Sequence, residues 1–202
     1  MIWDVGMKLI IASNNEHKIR EIKQILGGIF SEILSLNEAG IDHETVEDGT
    51  TFSENALKKA REIAEISGQY AIADDSGLCV DALDGAPGIY SARFCGVHGD
   101  DDANNRLLLQ KLENTDIRTA HYTAAIALVT PDGKELCTEG YLYGEILRIM
   151  RGNGGFGYDP MFKPDGFSCT LAEITPEQKN SISHRADGLK KMVELIKKEG
   201  IM

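Results

Sequence analysis

Cysteine, long hydrophobic runs and positive charge are all scarce in this chain. The four cysteines, Cys79, Cys95, Cys137 and Cys169, lie far apart and form no C-x-x-C pair. That spacing argues for small buried or half-buried thiols in a reducing cytosol, and against a disulfide framework. No apolar stretch approaches the ~20 residues of a membrane span, and the N-terminus has no basic patch followed by an apolar run, as a signal peptide would. The expectation is a cytoplasmic protein with no membrane partner. Residues 1–6 read as a short extension before the first strand, with Met7 an alternative start. Lysine and arginine number 21 against 32 acidic residues, a net charge of −11. A polynucleotide-binding protein needs a broad basic face to displace counterions, so a polynucleotide is not the expected partner. A small anion is still compatible, since a few cations aimed into one cleft, or a divalent metal, suffice for it.

The composition is otherwise that of an ordinary globular protein, with 42% hydrophobic and 26% charged residues. The length of 202 residues suits a single domain over 1–202, or one domain with two lobes. A chain of this size buries roughly 70% of its unfolded surface, enough for a core without disulfides or a structural metal.

Residues 9–12 form a short apolar run that reads as a buried strand, stopping at the polar Ser13-Asn14-Asn15. Ile19, Ile22, Ile25 and Leu26 share one face of a helix over 16–26, which Gly27-Gly28 ends. A second strand is expected over 33–36. Thr51 and Glu54 have capping-box spacing, ahead of a helix marked by Ala56, Leu57, Ala60, Ile63 and Ala64. Residues 70–73 read as a strand ending in a polar loop, Asp74-Asp75-Ser76-Gly77. A helix over 100–112 takes Asp100 or Asp101 as its N-cap. Residues 120–130 and 134–147 are β-rich and joined by the turn sequence Pro131-Asp132-Gly133. Strand–helix alternation followed by a hairpin predicts an α/β fold, a central mixed β-sheet flanked by helices. Thr175, Pro176 and Gln178 supply a cap, an N1 proline and an N3 glutamine. Ile182, Ala186, Leu189, Val193 and Ile196 then mark a last amphipathic helix.

Polar residues gather where the apolar elements end, and α/β proteins build ligand sites there. Ser13, Asn14, Asn15, Glu16, His17 and Lys18 lie at a strand-to-helix junction, where free N–H groups and the helix dipole favour an anion. An ordinary N-cap by Asn14 or Asn15 is the plain alternative. The acidic pairs are Glu47-Asp48 and Asp74-Asp75. Hard oxygen ligands with no histidine or cysteine nearby suit Mg²⁺, which takes one or two carboxylates and fills its other positions with water and phosphate. A carboxylate beside such a metal can accept a proton from an attacking water. Asp74-Asp75 is the better candidate, since it follows a buried strand and precedes Ser76-Gly77. Lys59 beside its helix's apolar stripe is either a snorkelling lysine or a charge for phosphate. Four glycines within 152–157 surround Phe156, either a stacking platform for a base or a ring folded onto the core. Lys179, His184 and Arg185 bring cations to the last helix's first turn and its approach, where the dipole disfavours them unless an anion or acceptor is present.

Six strings occur in order: Ser13-x-Asn15-x-x-Lys18; Glu47-Asp48-Gly49-x-Thr51-Phe52-x-Glu54-Asn55-Ala56; Ala73-Asp74-Asp75-Ser76-Gly77-Leu78; Gly85-Ala86-Pro87-Gly88-Ile89-Tyr90-Ser91-Ala92-Arg93; Gly154-Gly155-Phe156-Gly157-Tyr158-Asp159-Pro160; and Ser181-Ile182-Ser183-His184-Arg185. Together they resemble the inosine-triphosphate pyrophosphatase family, particularly its bacterial XTP/dITP members, over nearly the whole chain. The resemblance implies a mixed sheet with two lobes around a nucleotide-binding cleft, a homodimer, and Mg²⁺-dependent hydrolysis of ITP, dITP and XTP to the monophosphate and pyrophosphate. It implies that Asp75 is the proton acceptor and a metal ligand, with Glu47 the other metal carboxylate. Residues 13–18, with Lys59 and Ser76, correspond to the phosphate-binding side. Phe156, Gly157, Tyr158, Asp159, Lys179, His184 and Arg185 correspond to the nucleoside-binding side. The competing readings are a pyrophosphatase for modified pyrimidine triphosphates and a nucleotide-binding module without catalysis.

Overall fold

The computed structural model of the chain describes residues 7–201, so the expected extension over 1–6 lies outside the described residues. Six strands form one sheet in the order β2-β1-β3-β4-β5-β6. These are β1 (Lys8–Ile11), β2 (Glu32–Ser35), β3 (Tyr70–Val80), β4 (Thr119–Val129), β5 (Glu135–Ile146) and β6 (Phe162–Pro164). β1 is parallel to both β2 and β3, whereas β5 and β6 pair antiparallel, so the sheet is mixed as expected. Among the described residues five α-helices accompany it: α1 (Glu16–Leu26), α2 (Phe52–Ser67), α3 (Asp101–Lys111), α4 (Pro176–Ile182) and α5 (His184–Lys198).

The described residues fall into two compact units, with boundaries inside β3, β4, β5 and the first turn of α5. The first comprises residues up to 75, 124–140 and 185 onward; the second comprises 76–123 and 141–184. In the first unit, strand alternation sends successive side chains to opposite faces of the sheet. Leu9, Ile11, Ile72, Ile126 and Leu128 share one core with Ile22 and Leu26 of α1 and Leu189, Met192 and Ile196 of α5. Ile10, Ala71, Ala73, Ala125 and Ala127 share another with Ala56, Ala60 and Ile63 of α2. Small alanines on that second face leave room for α2 to lie close. The second unit has one core, where Leu108 and Leu112 meet Leu78, Val80, Tyr122, Ile146 and Phe162.

Local signals place most helix starts. Asn15 caps α1 by accepting from the His17 and Lys18 amides, and Asp100 caps α3 through the Ala103 amide. The full reciprocal capping box is present at Thr175 and Gln178. At Thr51 it is only half made. Thr51 accepts from the Glu54 amide, but the Glu54 carboxylate turns to the Thr50 amide and hydroxyl at 2.7 and 2.8 Å.

Two expectations need correction, and one strand is added. β3 does not stop at Ala73 but runs on through Asp74-Asp75-Ser76-Gly77 to Val80. Two acids can occupy a buried strand here because each has hydrogen-bonding partners, described below. Ile182 does not share the last helix with Ala186, Leu189, Val193 and Ile196. Ser183 has extended backbone (φ −65°, ψ 150°), so Ile182 closes α4 and α5 opens at His184. β6 was not expected at all, being only three residues long.

Candidate functional site

In the first unit, α1, α2, α5 and the middle of β3 converge on Asp74 and Asp75. Asp74 is 1% exposed. Arg185, from the start of α5, donates Nε to Asp74 Oδ2 at 3.1 Å and Nη2 to Asp74 Oδ1 at 3.4 Å. Its Nη1 donates to Glu21 Oε2 on α1 at 2.8 Å. Lys18 Nζ, one turn into α1, lies 2.5 Å from Asp74 Oδ1. Burial by itself would raise the Asp74 pKa, but Arg185 and Lys18 outweigh it and hold the carboxyl well below the usual range. Asp74 is therefore an ionised anchor for two cations.

Asp75 is in a different environment. Its Oδ2 accepts from Asn55 Nδ2 at 3.1 Å, and its Oδ1 lies 3.4 Å from Lys59 Nζ. Burial pushes its pKa up, against the pull of Lys59 and Lys18. Lys59 also donates to Glu47 Oε1 at 2.8 Å and to the Asp74 carbonyl at 2.9 Å. Burial would lower its pKa, but Asp75 and Glu47 outweigh it and raise the value. Asp48, next to Glu47, is exposed and turns to half-buried Lys58 instead. The first acidic pair thus splits, only Glu47 facing the cluster, whereas both acids of the second pair face it. Gly49 allows the Glu47 segment to approach α2. Its amide donates to Asn55 Oδ1 at 2.8 Å, and a Cβ there would stand 2.6 Å from the same atom.

Among the described residues there is no group of three or more His, Cys, Asp or Glu side chains set to hold a metal. Two carboxylates on one cation are nonetheless the donor set that Mg²⁺ takes from a protein when phosphates and water supply the rest. Glu47 and Asp75 meet that requirement, since both already face the Lys59 ammonium. The remaining residues of the first segment, Asn14, Asn15, Glu16 and His17, are exposed at the start of α1. Asn14 and Glu16 line a groove on that helix with Arg20 and Lys23. Ser13 Oγ accepts from the Asn15 amide at 3.1 Å, which shapes the turn into α1.

In the second unit, Phe156, Asp159 and Lys179 form a compact group. Lys179 Nζ stands 4.3 Å from the Phe156 ring centre and pairs with Asp159 Oδ2. The same oxygen accepts from the Phe156 amide at 2.9 Å. Gly155 is required twice over. Its φ is +73°, and a Cβ there would sit 2.0 Å from Asp159 Oδ2. Gly155→Ala is expected to lower stability by ~1–3 kcal/mol through backbone strain and to displace Asp159 from Lys179; thermal unfolding checks the first effect and substrate KM the second. Tyr158 is buried, its hydroxyl donating to the Ser91 carbonyl at 2.8 Å. The His184 ring stacks on Tyr122 with centres 4.8 Å apart. Ser76 lies half-buried on β3, at the edge of this unit.

Arg185, which follows His184 in the chain, falls in the first unit, where it pairs with Asp74 and Glu21. Sequence reading also passed over Glu21 and Asn55. Both had a visible signal: Glu21 falls on the helix face of Lys18, Ile22 and Ile25, and Asn55 on that of Lys59. A polar side chain in line with an apolar stripe has to be satisfied by something buried.

The fold and these two groups define an α/β protein that gathers lysine, arginine and carboxylate on one strand and an aromatic–lysine pair on one loop. The family profile whose description is "Ham1 family" matches residues 9–195. A Clostridium perfringens protein named dITP/XTP pyrophosphatase is 50% identical over 198 residues, covering 94% of this chain and 97% of that protein. A Leifsonia xyli protein of the same name is 49% identical, covering 95% and 96%. The solved structure of the Staphylococcus aureus Ham1 protein superimposes with a TM-score of 0.87 at 39% identity, covering 95% of this chain and 99% of that one. This chain belongs to the Ham1 family.

Proposed function

We propose that this chain hydrolyses the non-standard purine nucleoside triphosphates ITP, dITP and XTP to the monophosphate and pyrophosphate, removing them from the nucleotide pool. The observation that carries the reading is the convergence of Glu47 and Asp75 on one ammonium, Lys59, beside Lys18. Around that point stand four carboxylates (Glu21, Glu47, Asp74, Asp75) and three cations (Lys18, Lys59, Arg185). A triphosphate brings still more negative charge, so its binding there calls for an added cation. The likeness to proteins named dITP/XTP pyrophosphatase supports the substrate class.

Glu47 and Asp75 would hold Mg²⁺, which when bound would offset the negative charge of the triphosphate. Asp75, ionised, accepts the proton of the attacking water or orients that water. Lys18 and Lys59 stabilise the negative charge of the departing pyrophosphate. Asp74 keeps Lys18 extended toward the reaction, and Arg185 is assigned to orienting Asp74. Residues 13–17 and Ser76 complete the phosphate side.

The base is assigned to the second unit's group. Phe156 supplies the stacking face, and Lys179 the donor for O6, with Gly157, Tyr158, Asp159 and His184 shaping the surroundings. Hypoxanthine and xanthine offer an O6 acceptor, whereas adenine presents a 6-amino donor that would face another donor, and buried unpaired donors are costly. We extend the reading to a homodimer acting in the cytoplasm on small-molecule triphosphates. The net charge of −11 supports small-molecule substrates over polynucleotides.

The test is pyrophosphate release from a panel of ITP, dITP, XTP, ATP, dUTP and modified pyrimidine triphosphates, with Mg²⁺ and with the metal chelated. Turnover of the three purines only when Mg²⁺ is present is the expected result. Preference for pyrimidine triphosphates, or no metal-dependent release from ITP, would overturn the proposal.

A further inference from the structure

We infer that Asp101 and Asn105 of α3 are positioning residues for the nucleobase, acting by clamping Gly157 and so fixing the Phe156 ring. The inference rests on the reading above, in which Phe156 and Lys179 receive the base. The Gly157 amide donates to Asp101 Oδ2 at 2.7 Å, and Asn105 Nδ2 donates to the Gly157 carbonyl at 3.0 Å. Positions 101 and 105 are one turn apart on the same face of α3. Both backbone polar groups of a single loop residue are therefore pinned from one helix. On the other side of Phe156, its own amide is held by Asp159 at 2.9 Å. The ring sits between two fixed points.

Such a clamp answers a physical problem. A loop with four glycines within 152–157 has wide backbone freedom, and ordering it only when ligand binds would subtract from affinity. α3 is a suitable anchor because Leu108 and Leu112 are fully buried in the second unit's core. Asn105 makes poor sense as a core residue. It is 3% exposed, and its Oδ1 has no hydrogen-bond partner among the described residues. An unsatisfied buried acceptor is destabilising, and an apolar side chain of similar volume would suit the helix better. Its bond to Gly157 accounts for an asparagine at that position. Asp101 differs in being exposed at the helix start, where Asp100 already supplies the N-cap. Its carboxylate is thus available to the loop without cost to the helix.

The experiment compares Asp101→Ala, Asn105→Leu and Asp101→Asn with the wild-type protein. The first two variants are expected to raise KM for ITP about tenfold, the effect of one lost charge-assisted or buried hydrogen bond, with kcat changed by less than about twofold. Asp101→Asn keeps an oxygen that can accept from the Gly157 amide, so its KM should return toward wild type. Asn105→Leu is expected to melt no lower than the wild type, which separates positioning from a structural role. Amide exchange at Gly157, followed by NMR, should quicken about tenfold in Asp101→Ala and not in Asp101→Asn. Unchanged KM, a fall in kcat at constant KM, or failure of Asp101→Asn to rescue overturns the inference. A wild-type protein inactive on ITP would sink the proposed function instead, and the Gly157 exchange rates would then decide the clamp by themselves.

Discussion

Asp75→Asn is expected to give a folded protein whose turnover of ITP falls by ~10²–10⁴-fold, the range for loss of a positioned proton acceptor. The fold should survive because the change relieves a cost. Burial pushes the Asp75 pKa up, which means the site disfavours the ionised form relative to water. A neutral amide of the same shape removes that penalty and can still offer one oxygen, either to Asn55 or to Lys59. The melting temperature should therefore stay at or slightly above that of wild type. Catalysis has no such compensation, since an amide neither accepts the water's proton nor holds Mg²⁺ as a carboxylate does. Affinity for Mg²⁺ should fall with the rate, leaving Glu47 as the one remaining carboxylate ligand. Parallel measurement of kcat on ITP and of thermal unfolding separates the two effects. Near-wild-type kcat would remove Asp75 from the mechanism.

Much of this was legible in the chain because it is encoded locally. Leu9 to Ile11 and the alternating Ala124 to Val129 declare strands by their pattern. Asn15, Asp100 and Thr175 declare helix starts by side chains that reach only two or three residues ahead. The failures lie where a distant partner decides. Asp74-Asp75 looks like a loop because acids are poor strand formers. Partners distant in the sequence, Arg185 and Lys18 for Asp74 and Asn55 and Lys59 for Asp75, are what allow a buried strand there. A cation at a helix start, as Arg185 is, has no explanation in the residues near it in the sequence. Glu21, 164 residues away, and Asp74 account for it. Asp101 and Asn105 escaped for the same reason, since the loop they hold lies more than fifty positions on. Chemistry by residue type was readable from the string; the pairing of those residues was not.

Asp74→Ala should be the most destabilising single change in the cluster, costing ~3–5 kcal/mol, because removing one partner of a buried ion pair leaves buried positive charge undercompensated. The arrangement meets the condition for that figure. The Asp74 and Arg185 side chains are 0% and 2% exposed, and Lys18 is 17% exposed. Without Asp74, Arg185 would retain only Glu21 of these two carboxylates, and Lys18 would lose its nearest one. At about 2–4 °C per kcal/mol for a chain of this size, the melting temperature should drop by ~10 °C. Activity should fall as well, because Lys18 would no longer be held toward the phosphates. Asp74→Asn should fall less far, since its amide oxygen can still accept from Arg185 or Lys18. The exposed pair Lys8–Glu32 provides the contrast, with side chains 51% and 43% exposed. Glu32→Ala is expected to change stability by no more than ~1 kcal/mol, as for most surface ion pairs. If Asp74→Ala melted no lower than Glu32→Ala, the Asp74 network would be energetically equivalent to a surface pair. The extension of β3 through two acids would then need another cause.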